Sequence, residues 1–294
     1  MQSIVLFDLD GTLTPPRGKI TDAVIQTLVA LSERATLGIV TGSGMEYVRE
    51  QATELLQNKE IRSNSELHVF PCNGTEHWKL SDTGTYDKVY GISMEEHMGS
   101  DKFRDMLAVL CTLQSDIVQL VRQMPLSGHF VSNRQSMVNW CPIGRNASTE
   151  QREQFVEQDA LQHIRFNYIT SLIDSFLANG ITGLTVTLGG DTSFDIYPTG
   201  WDKTYVLKHE PCKRKNLYFI GDRCYGNGND KALHDLLNHP DGPDSWKSSV
   251  TAEGPKQKWK IPRSGHAWQT SGPEETIRIL EGEIIPKLPC LTDS

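Results

Sequence analysis

Two carboxylates set directly behind a short apolar run constrain this chain more than any other feature. Ile4-Val5-Leu6-Phe7 has the length and residue type of a strand buried on both faces, and Asp8-Leu9-Asp10-Gly11-Thr12-Leu13-Thr14 follows without a spacer. Strands of that kind belong to parallel sheets covered by helices on both sides. In such folds ligands bind in the crevice beyond the carboxyl ends of the strands, where Asp8 and Asp10 are expected. One carboxylate there can attack phosphorus and carry it as an aspartyl phosphate, while a second acid two residues on moves protons for the partner hydroxyl. A lone Asp-x-Asp is more often a charged turn. What accompanies it decides between the two.

The rest of the chain continues as a parallel sheet requires. Thr21 predicts an N-cap for a helix over 22–34, with Val24, Leu28 and Leu31 on one face. Residues 37–40 read as a second buried strand ending in Thr41-Gly42-Ser43-Gly44. A helix over 45–57 follows, then a third strand over 67–70 running into Pro71-Cys72-Asn73-Gly74. From about 85 to 198 the pattern changes. A helix over 102–120, strand and turn over 128–139, and two helical stretches over 148–177 precede a hairpin of 184–188 with 192–197 around Gly189-Gly190-Asp191. This part reads as an inserted α+β domain. The sheet resumes after Lys203, with a strand over 217–220 ending at Asp222, a last strand over 265–269, and a closing helix from Pro273 to about 285. Residues 239–262 show no period and are expected to form a loop or hairpin excursion. The expected division is a core of 1–84 with 199–294 and an insert of 85–198.

Charge and cysteine usage exclude several classes. With 29 basic against 37 acidic residues the net charge is −8, so neither nucleic acid nor a membrane surface is an expected partner. An anionic substrate has to be held by local arginine clusters working against the overall sign. The six cysteines include no C-x-x-C pair, which argues against a zinc site and a disulfide framework and suits a reducing compartment. No apolar run approaches the roughly 20 residues of a membrane helix. A cytoplasmic enzyme is the expectation.

Three further pieces share the position of Asp8, each after an expected strand. Thr41-Gly42-Ser43 offers a hydroxyl and backbone N–H groups to a phosphoryl oxygen. Gly200-Trp201-Asp202-Lys203 brings a lysine that can neutralise charge on the nucleophile and the phosphoryl group in transit. Gly221-Asp222-Arg223-Cys224-Tyr225-Gly226-Asn227-Gly228-Asn229-Asp230 supplies an acid that, paired with Asp8, suits Mg²⁺, which takes one or two carboxylates plus water and phosphate oxygens. Each piece alone is weak; the four in this order are not. Together they resemble the motifs of the haloacid dehalogenase superfamily of phosphotransferases.

The insert narrows the resemblance. Phe130-Val131-Ser132-Asn133-Arg134-Gln135-Ser136-Met137-Val138-Asn139, Cys141-Pro142-Ile143-Gly144-Arg145, Gln151-Arg152-Glu153 and Gly189-Gly190-Asp191-Thr192-Ser193-Phe194-Asp195-Ile196-Tyr197-Pro198 are similar to the cap of the phosphomannomutase family. The resemblance implies an α/β fold: a haloacid dehalogenase-type, Rossmann-like parallel-sheet core with an inserted α+β cap. It implies Asp8 as nucleophile, Asp10 as acid/base, Ser43 as the second-motif hydroxyl with Thr41 a near rival, and Lys203 as the lysine of the site. Asp8, Asp222 and the Asp10 backbone carbonyl would hold Mg²⁺, supported by Asn229 and Asp230. Arg17 would contact substrate from the loop; Arg134, Arg145 and Arg152 would hold the distal phosphate, and Ser193 and Asp195 the sugar hydroxyls. Guanidinium groups bind phosphate bidentately and keep their charge, which suits a fixed anion clamp.

The implied reaction interconverts mannose 6-phosphate and mannose 1-phosphate, with a hexose 1,6-bisphosphate as activator that phosphorylates Asp8. Hexose phosphates are the implied partners, with a homodimer paired through the cap. Two rivals remain at this point. One is a sugar-phosphate phosphatase on the same scaffold, with water as acceptor; the other is a sugar-phosphate sensor without catalysis, which would need no nucleophile. The family's usual Gly-Gly-Ser-Asp is Thr41-Gly42-Ser43-Gly44 here, and Asp191-Thr192 stands where Gln-Ile is usual. These departures bear on sugar preference more than on phosphoryl chemistry.

Overall fold

Side chains along β1 (Ser3–Phe7) point alternately to opposite faces, and both faces are packed. Ile4 and Leu6 join Phe70, Leu217, Phe219 and Leu233 in one buried cluster, whereas Val5 and Phe7 join Val24, Leu28, Leu37, Ile39 and Val48 in another. A period of two within an unbroken apolar run is what a strand between two layers requires. The structure is a computed structural model that describes residues 3–213, 216–226, 228–239 and 264–291.

After β1 come α1 (Asp22–Ser32), β2 (Thr36–Val40), α2 (Met45–Leu56), the single-turn α3 (Lys59–Asn64) and β3 (Leu67–Phe70). Val24, Leu28 and Leu31 are buried on α1 as their spacing predicts. Thr21 does occupy the N-cap, but its side chain makes no capping hydrogen bond. Instead the cap geometry is realised at α3, where the Asn58 side chain accepts from the Glu60 and Ile61 amides at 3.0 Å. Next, β4 (Glu76–Leu80) and β5 (Tyr86–Gly91) form a hairpin that pairs antiparallel onto β3.

The second unit holds α4 (Met94–Met98), α5 (Ser100–Leu120), β6 (Val131–Asn133), β7 (Val138–Trp140), α6 (Thr149–Gln162), α7 (Ile164–Ala178), β8 (Leu184–Gly189) and β9 (Ser193–Pro198). Its strands form an antiparallel sheet in the order β6-β7-β9-β8. Phe103, Met106, Leu110, Leu113 and Ile117 line the buried face of α5 at alternating steps of three and four, the stripe of an amphipathic helix. Ser148 and Gln151 close a reciprocal capping box at the start of α6.

The chain returns through β10 (Asn216–Gly221), α8 (Lys231–Asn238), β11 (Gly265–Gln269) and α9 (Pro273–Ile279), which continues as a π-helical turn over Leu280–Ile284. The core sheet runs β11-β10-β1-β2-β3-β4-β5, with the first five strands parallel. From β1 the chain moves to β2 and β3 on one side, and later to β10 and β11 on the other. That reversal beside β1 is a topological switch point, where open α/β sheets bind ligands.

By contacts the first unit comprises Met1–Gly91 with the described residues from Trp201 onward, and the second is Ile92–Gly200. The expected boundary at 84/85 falls in the turn of the β4–β5 hairpin. Pairing with β3 keeps that hairpin with the core sheet, so the division comes after Gly91. Of the stretch 239–262, all but His239 lies outside the described residues. Among the described residues, no helix is long and apolar enough to cross a membrane.

Candidate active site

Register alone brings the first three pieces to one level. Phe7 pairs with Ile39 on one side and Ile220 on the other, so Asp8, Thr41 and Asp222 leave their strands at the same end of the sheet. The Asp8 amide extends the ladder by donating to Ile220 O at 2.9 Å. The backbone then folds back on itself, with Leu13 N and Thr14 N both donating to Leu9 O at 3.0 Å. Gly11 adopts a left-handed φ of 75°, and a Cβ there would lie 2.5 Å from Asp222 Oδ2, so only glycine lets the turn approach that carboxylate.

Lys203 is fully buried and lies between two acids. Its Nζ donates to Asp8 Oδ1 and Asp230 Oδ1, each at 2.5 Å, across 195 and 27 residues of sequence. It opens the 3₁₀ turn Lys203–Lys208, whose start is capped by the Asp202 side chain accepting from Thr204 N at 2.9 Å. Asp230 Oδ2 accepts from Arg223 N at 3.0 Å, which ties the loop after β10 to the same carboxylate. Gly221 permits this: a Cβ on it would meet that carboxylate at 2.6 Å.

Two carboxylates therefore share one ammonium, with a third, Asp222, close by and 4.0 Å from Arg223 Nε. Burial pushes the Asp8 carboxyl up to about 7; Lys203 opposes the rise, while the charges of Asp230 and Asp222 add to it. Asp222 is raised by its burial and by Asp230. Burial works against the charge of Lys203, but Asp230 and Asp8 outweigh it and hold the ammonium above its usual range. One oxygen each from Asp8, Asp222 and Asp230 lies within 4.8 Å of the others, and Asp222 Oδ1 is buried without a hydrogen-bond partner. An orphaned carboxylate oxygen in an oxygen-only donor set fits a hard divalent cation.

Asp10 stands apart from that cluster. Its Oδ1 accepts from Arg17 N at 2.9 Å, Tyr47 Oη at 3.0 Å and Gln51 Nε2 at 3.3 Å. Arg17 itself is exposed in a left-handed conformation, φ 58°. At the end of β2, the buried Thr41 Oγ1 accepts from Ser43 N at 3.1 Å, whereas Ser43 Oγ makes no hydrogen bond to a described residue. Asn73, held left-handed at φ 60° with its amide donating to Thr41 O at 2.7 Å, buries a carboxamide oxygen that has no partner. Asn229 is exposed in the loop after β10.

The second unit gathers the other residues singled out in the sequence. Strand register sets Asn139 opposite Asp195, and its amide nitrogen donates to Ser193 Oγ at 2.9 Å and Asp195 Oδ1 at 2.7 Å. The Asn139 oxygen accepts from Arg145 Nη1 at 2.9 Å. Arg152 donates to Thr192 Oγ1 at 3.0 Å and Arg145 O at 2.8 Å. Burial lowers the Arg145 guanidinium's pKa, and the positive charges of Arg134 and Arg152 lower it further. Arg145 thus lies close enough to Arg134 and Arg152 to feel their charge, with Asp195 nearby in opposition. Asn139 was not singled out from the sequence, and Thr192 only as a departure from the family pattern. Asn139 carries a signal in hindsight, an amide flanked by apolar residues in a short strand; at Thr192 the departure itself supplies the hydroxyl that meets Arg152.

The chain matches the family model for eukaryotic phosphomannomutase over residues 24–240. It is 34% identical over 239 residues to phosphomannomutase 2 of Dictyostelium discoideum, spanning 81% of this chain and 88% of the relative. It is 34% identical over 230 residues to the Saccharomyces cerevisiae phosphomannomutase, spanning 78% and 84%. A probable phosphomannomutase of Caenorhabditis elegans is 33% identical over 261 residues, spanning 88% and 93%. Among solved structures, an N-terminally truncated Plasmodium falciparum IMP-nucleotidase superposes with a TM-score of 0.58 at 15% identity, covering 98% of this chain and 71% of that one. That likeness is one of fold.

Proposed function

The chain belongs to the eukaryotic phosphomannomutase family, and from that premise we propose how its own residues divide the reaction. The activity is the interconversion of mannose 6-phosphate and mannose 1-phosphate. Asp8 is the nucleophile: a carboxylate oxygen attacks phosphorus and the sugar oxygen leaves, with Asp10 supplying or removing the proton on that oxygen. Lys203 steadies the negative charge at Asp8 and on the phosphoryl group, while Ser43 and the turn around it bind phosphoryl oxygens. Asp8, Asp222 and the Asp10 carbonyl would hold Mg²⁺, with Asp230 and Asn229 in support, and the ion would neutralise charge on the transferring group. A hexose 1,6-bisphosphate is the activator that first phosphorylates Asp8.

One observation carries the mutase over the phosphatase. The charges of Arg134 and Arg152 acting on Arg145, and the Asn139 amide that links Arg145 to Ser193 and Asp195, support a clamp for a distal phosphate with sugar hydroxyls beside it. A phosphatase needs strong recognition only at the phosphate that reacts, whereas a mutase has to hold a second one. Arg17 adds a contact from the core loop. The absence of any C-x-x-C pair among the six cysteines supports a cytoplasmic setting, and the exposed Leu161 and Phe166 on α6 and α7 support pairing of two copies through the cap.

The test is incubation with mannose 1-phosphate and Mg²⁺, with and without a hexose 1,6-bisphosphate, measuring isomer and released phosphate together. Isomerisation should dominate and depend on the bisphosphate; phosphate released as fast as isomer forms would put the phosphatase in its place. Arg145→Ala should lower kcat/KM for the phosphosugar by about tenfold to a few hundredfold, the value of a charge-assisted phosphate contact. For acetyl phosphate, which has no distal phosphate, the factor should be far smaller. Equal factors would make Arg145 a support of the cap core. Asp222→Ala should raise the Mg²⁺ concentration for half-maximal activity by at least about tenfold, because the site loses one of its few carboxylates. An unchanged Mg²⁺ titration would move the ion elsewhere.

A further inference from the structure

The carboxylate of Asp10 is held unevenly. All three of its hydrogen bonds, from Arg17 N, Tyr47 Oη and Gln51 Nε2, fall on Oδ1, and no described residue donates to Oδ2. Tyr47 and Gln51 lie four residues apart on α2, so both project from one helix face toward the same oxygen. Gln51 is 3% exposed, and the Thr14 hydroxyl, whose single proton can go to Leu9 O or to Gln51 Oε1, each at 3.2 Å, faces the amide oxygen on the side away from Asp10. Gln51 O also accepts from Ile20 N at 2.9 Å, fastening α2 to the loop that carries Arg17. Burial and the charge of Asp10 push the Tyr47 phenol up to about 12, so near neutral pH it remains a donor.

A carboxylate oxygen that already takes three donors has little capacity left for a proton, and the carboxyl cannot rotate without breaking all three bonds. We propose that Tyr47, assisted by Gln51, is a positioning residue that reserves Asp10 Oδ2 for the proton exchanged with the sugar oxygen. The inference rests on Asp10 being the acid/base. In the forward step a bond forms between an Asp8 oxygen and phosphorus, the bond from phosphorus to the sugar oxygen breaks, and that oxygen takes the proton from Asp10 Oδ2. On return the sugar hydroxyl attacks phosphorus, the Asp8–phosphorus bond breaks, and the proton goes back to Oδ2. Without the phenol the carboxyl can turn, and the proton spends time on the oxygen that does not face the reaction.

Tyr47→Phe tests this in the full chain, since it keeps the ring of a half-buried residue and removes only the donor. Two substrates separate positioning from structure. Isomerisation of mannose 1-phosphate requires proton exchange at a sugar oxygen, whereas single-turnover release of p-nitrophenol from p-nitrophenyl phosphate, in which the Asp8–phosphorus bond forms and the aryl one breaks, expels a leaving group that needs little protonation. The expected result is a fall in kcat for isomerisation of about ten- to a hundredfold, the range for a misoriented catalytic group, with KM within about twofold of the parent. The ratio of isomerisation to single-turnover p-nitrophenol release should fall by about tenfold or more, and Gln51→Leu should shift it the same way. An isomerisation kcat within about threefold of the parent overturns the inference, as does an equal loss on both substrates. Asp10→Asn is the reference: if it isomerises as well as the parent, the acid/base assignment fails and takes the inference with it. If Asp10→Asn is inactive while Tyr47→Phe is unimpaired, only the inference fails.

Discussion

Asp8→Asn should be inactive yet no less stable than the parent. An amide cannot become an acyl phosphate, so turnover should fall below about one per cent, a loss of at least about 2.7 kcal/mol of transition-state stabilisation. Stability should move the other way. Asp8 shares the Lys203 ammonium with Asp230 and lies beside Asp222, and its burial raises it to about 7 against an ordinary value of 3.8. A carboxyl raised in the folded state binds protons that the unfolded chain has released. Its contribution is therefore full below pH 3.8 and is lost as pH rises to about 7, at up to about 1.4 kcal/mol per pH unit. Asparagine carries no such dependence. Metal-free Asp8→Asn should melt at or above the parent at pH 7.5, with a flatter dependence of Tm on pH between 4 and 7. Residual activity above about one per cent, in protein shown by mass to be free of deamidation, would remove Asp8 from the nucleophile's role. A Tm several degrees below the parent would make it a structural residue.

Lys203→Met should lose both activity and stability. Its ammonium is fully buried and gives 2.5 Å hydrogen bonds to Asp8 and Asp230, and no other cation among the described residues reaches both. Removing one partner of a buried ion pair costs about 3–5 kcal/mol, because the charges left behind are desolvated and uncompensated. For a protein of this size that is a fall in Tm of roughly 6–20 °C. The methionine stem fills most of the lysine's space, so the loss reports charge and not a cavity. Asp230→Asn added to Lys203→Met removes one orphaned charge and should restore part of the lost Tm but none of the activity. If the single variant melts with the parent, or the double variant melts lower still, the ammonium is not what balances this cluster.

How much of this was legible beforehand follows from the range over which each feature is encoded. The strand Ile4 to Phe7, the buried faces of α1 and α5, and the β8–β9 hairpin were all readable, because side-chain direction repeats every 2 or 3.6 residues and so leaves its mark locally. The placement of Asp8, Thr41 and Asp222 at one end of the sheet follows from the same source, since each stands directly behind an apolar strand. The β4–β5 hairpin went unread as part of the core. Exposed residues dominate β5, which leaves no buried pattern to find, and its place is decided by pairing onto β3.

The chemistry of the site divides along the same line. From the sequence alone came the types of residue, their order and the strand ends they occupy: two acids, a small polar turn, a lysine, a glycine-rich acidic loop and the arginines of the insert. Only the tertiary structure decided which of them touch. Lys203 meets Asp8 across 195 residues, Tyr47 and Gln51 close on one oxygen of Asp10, and Asn139 joins Arg145 to Asp195 across a strand pair. No periodicity announces such contacts. A hydrogen bond needs its partners aligned within a few tenths of an ångström, and that alignment is set by the packing of whole layers, not by neighbours along the chain.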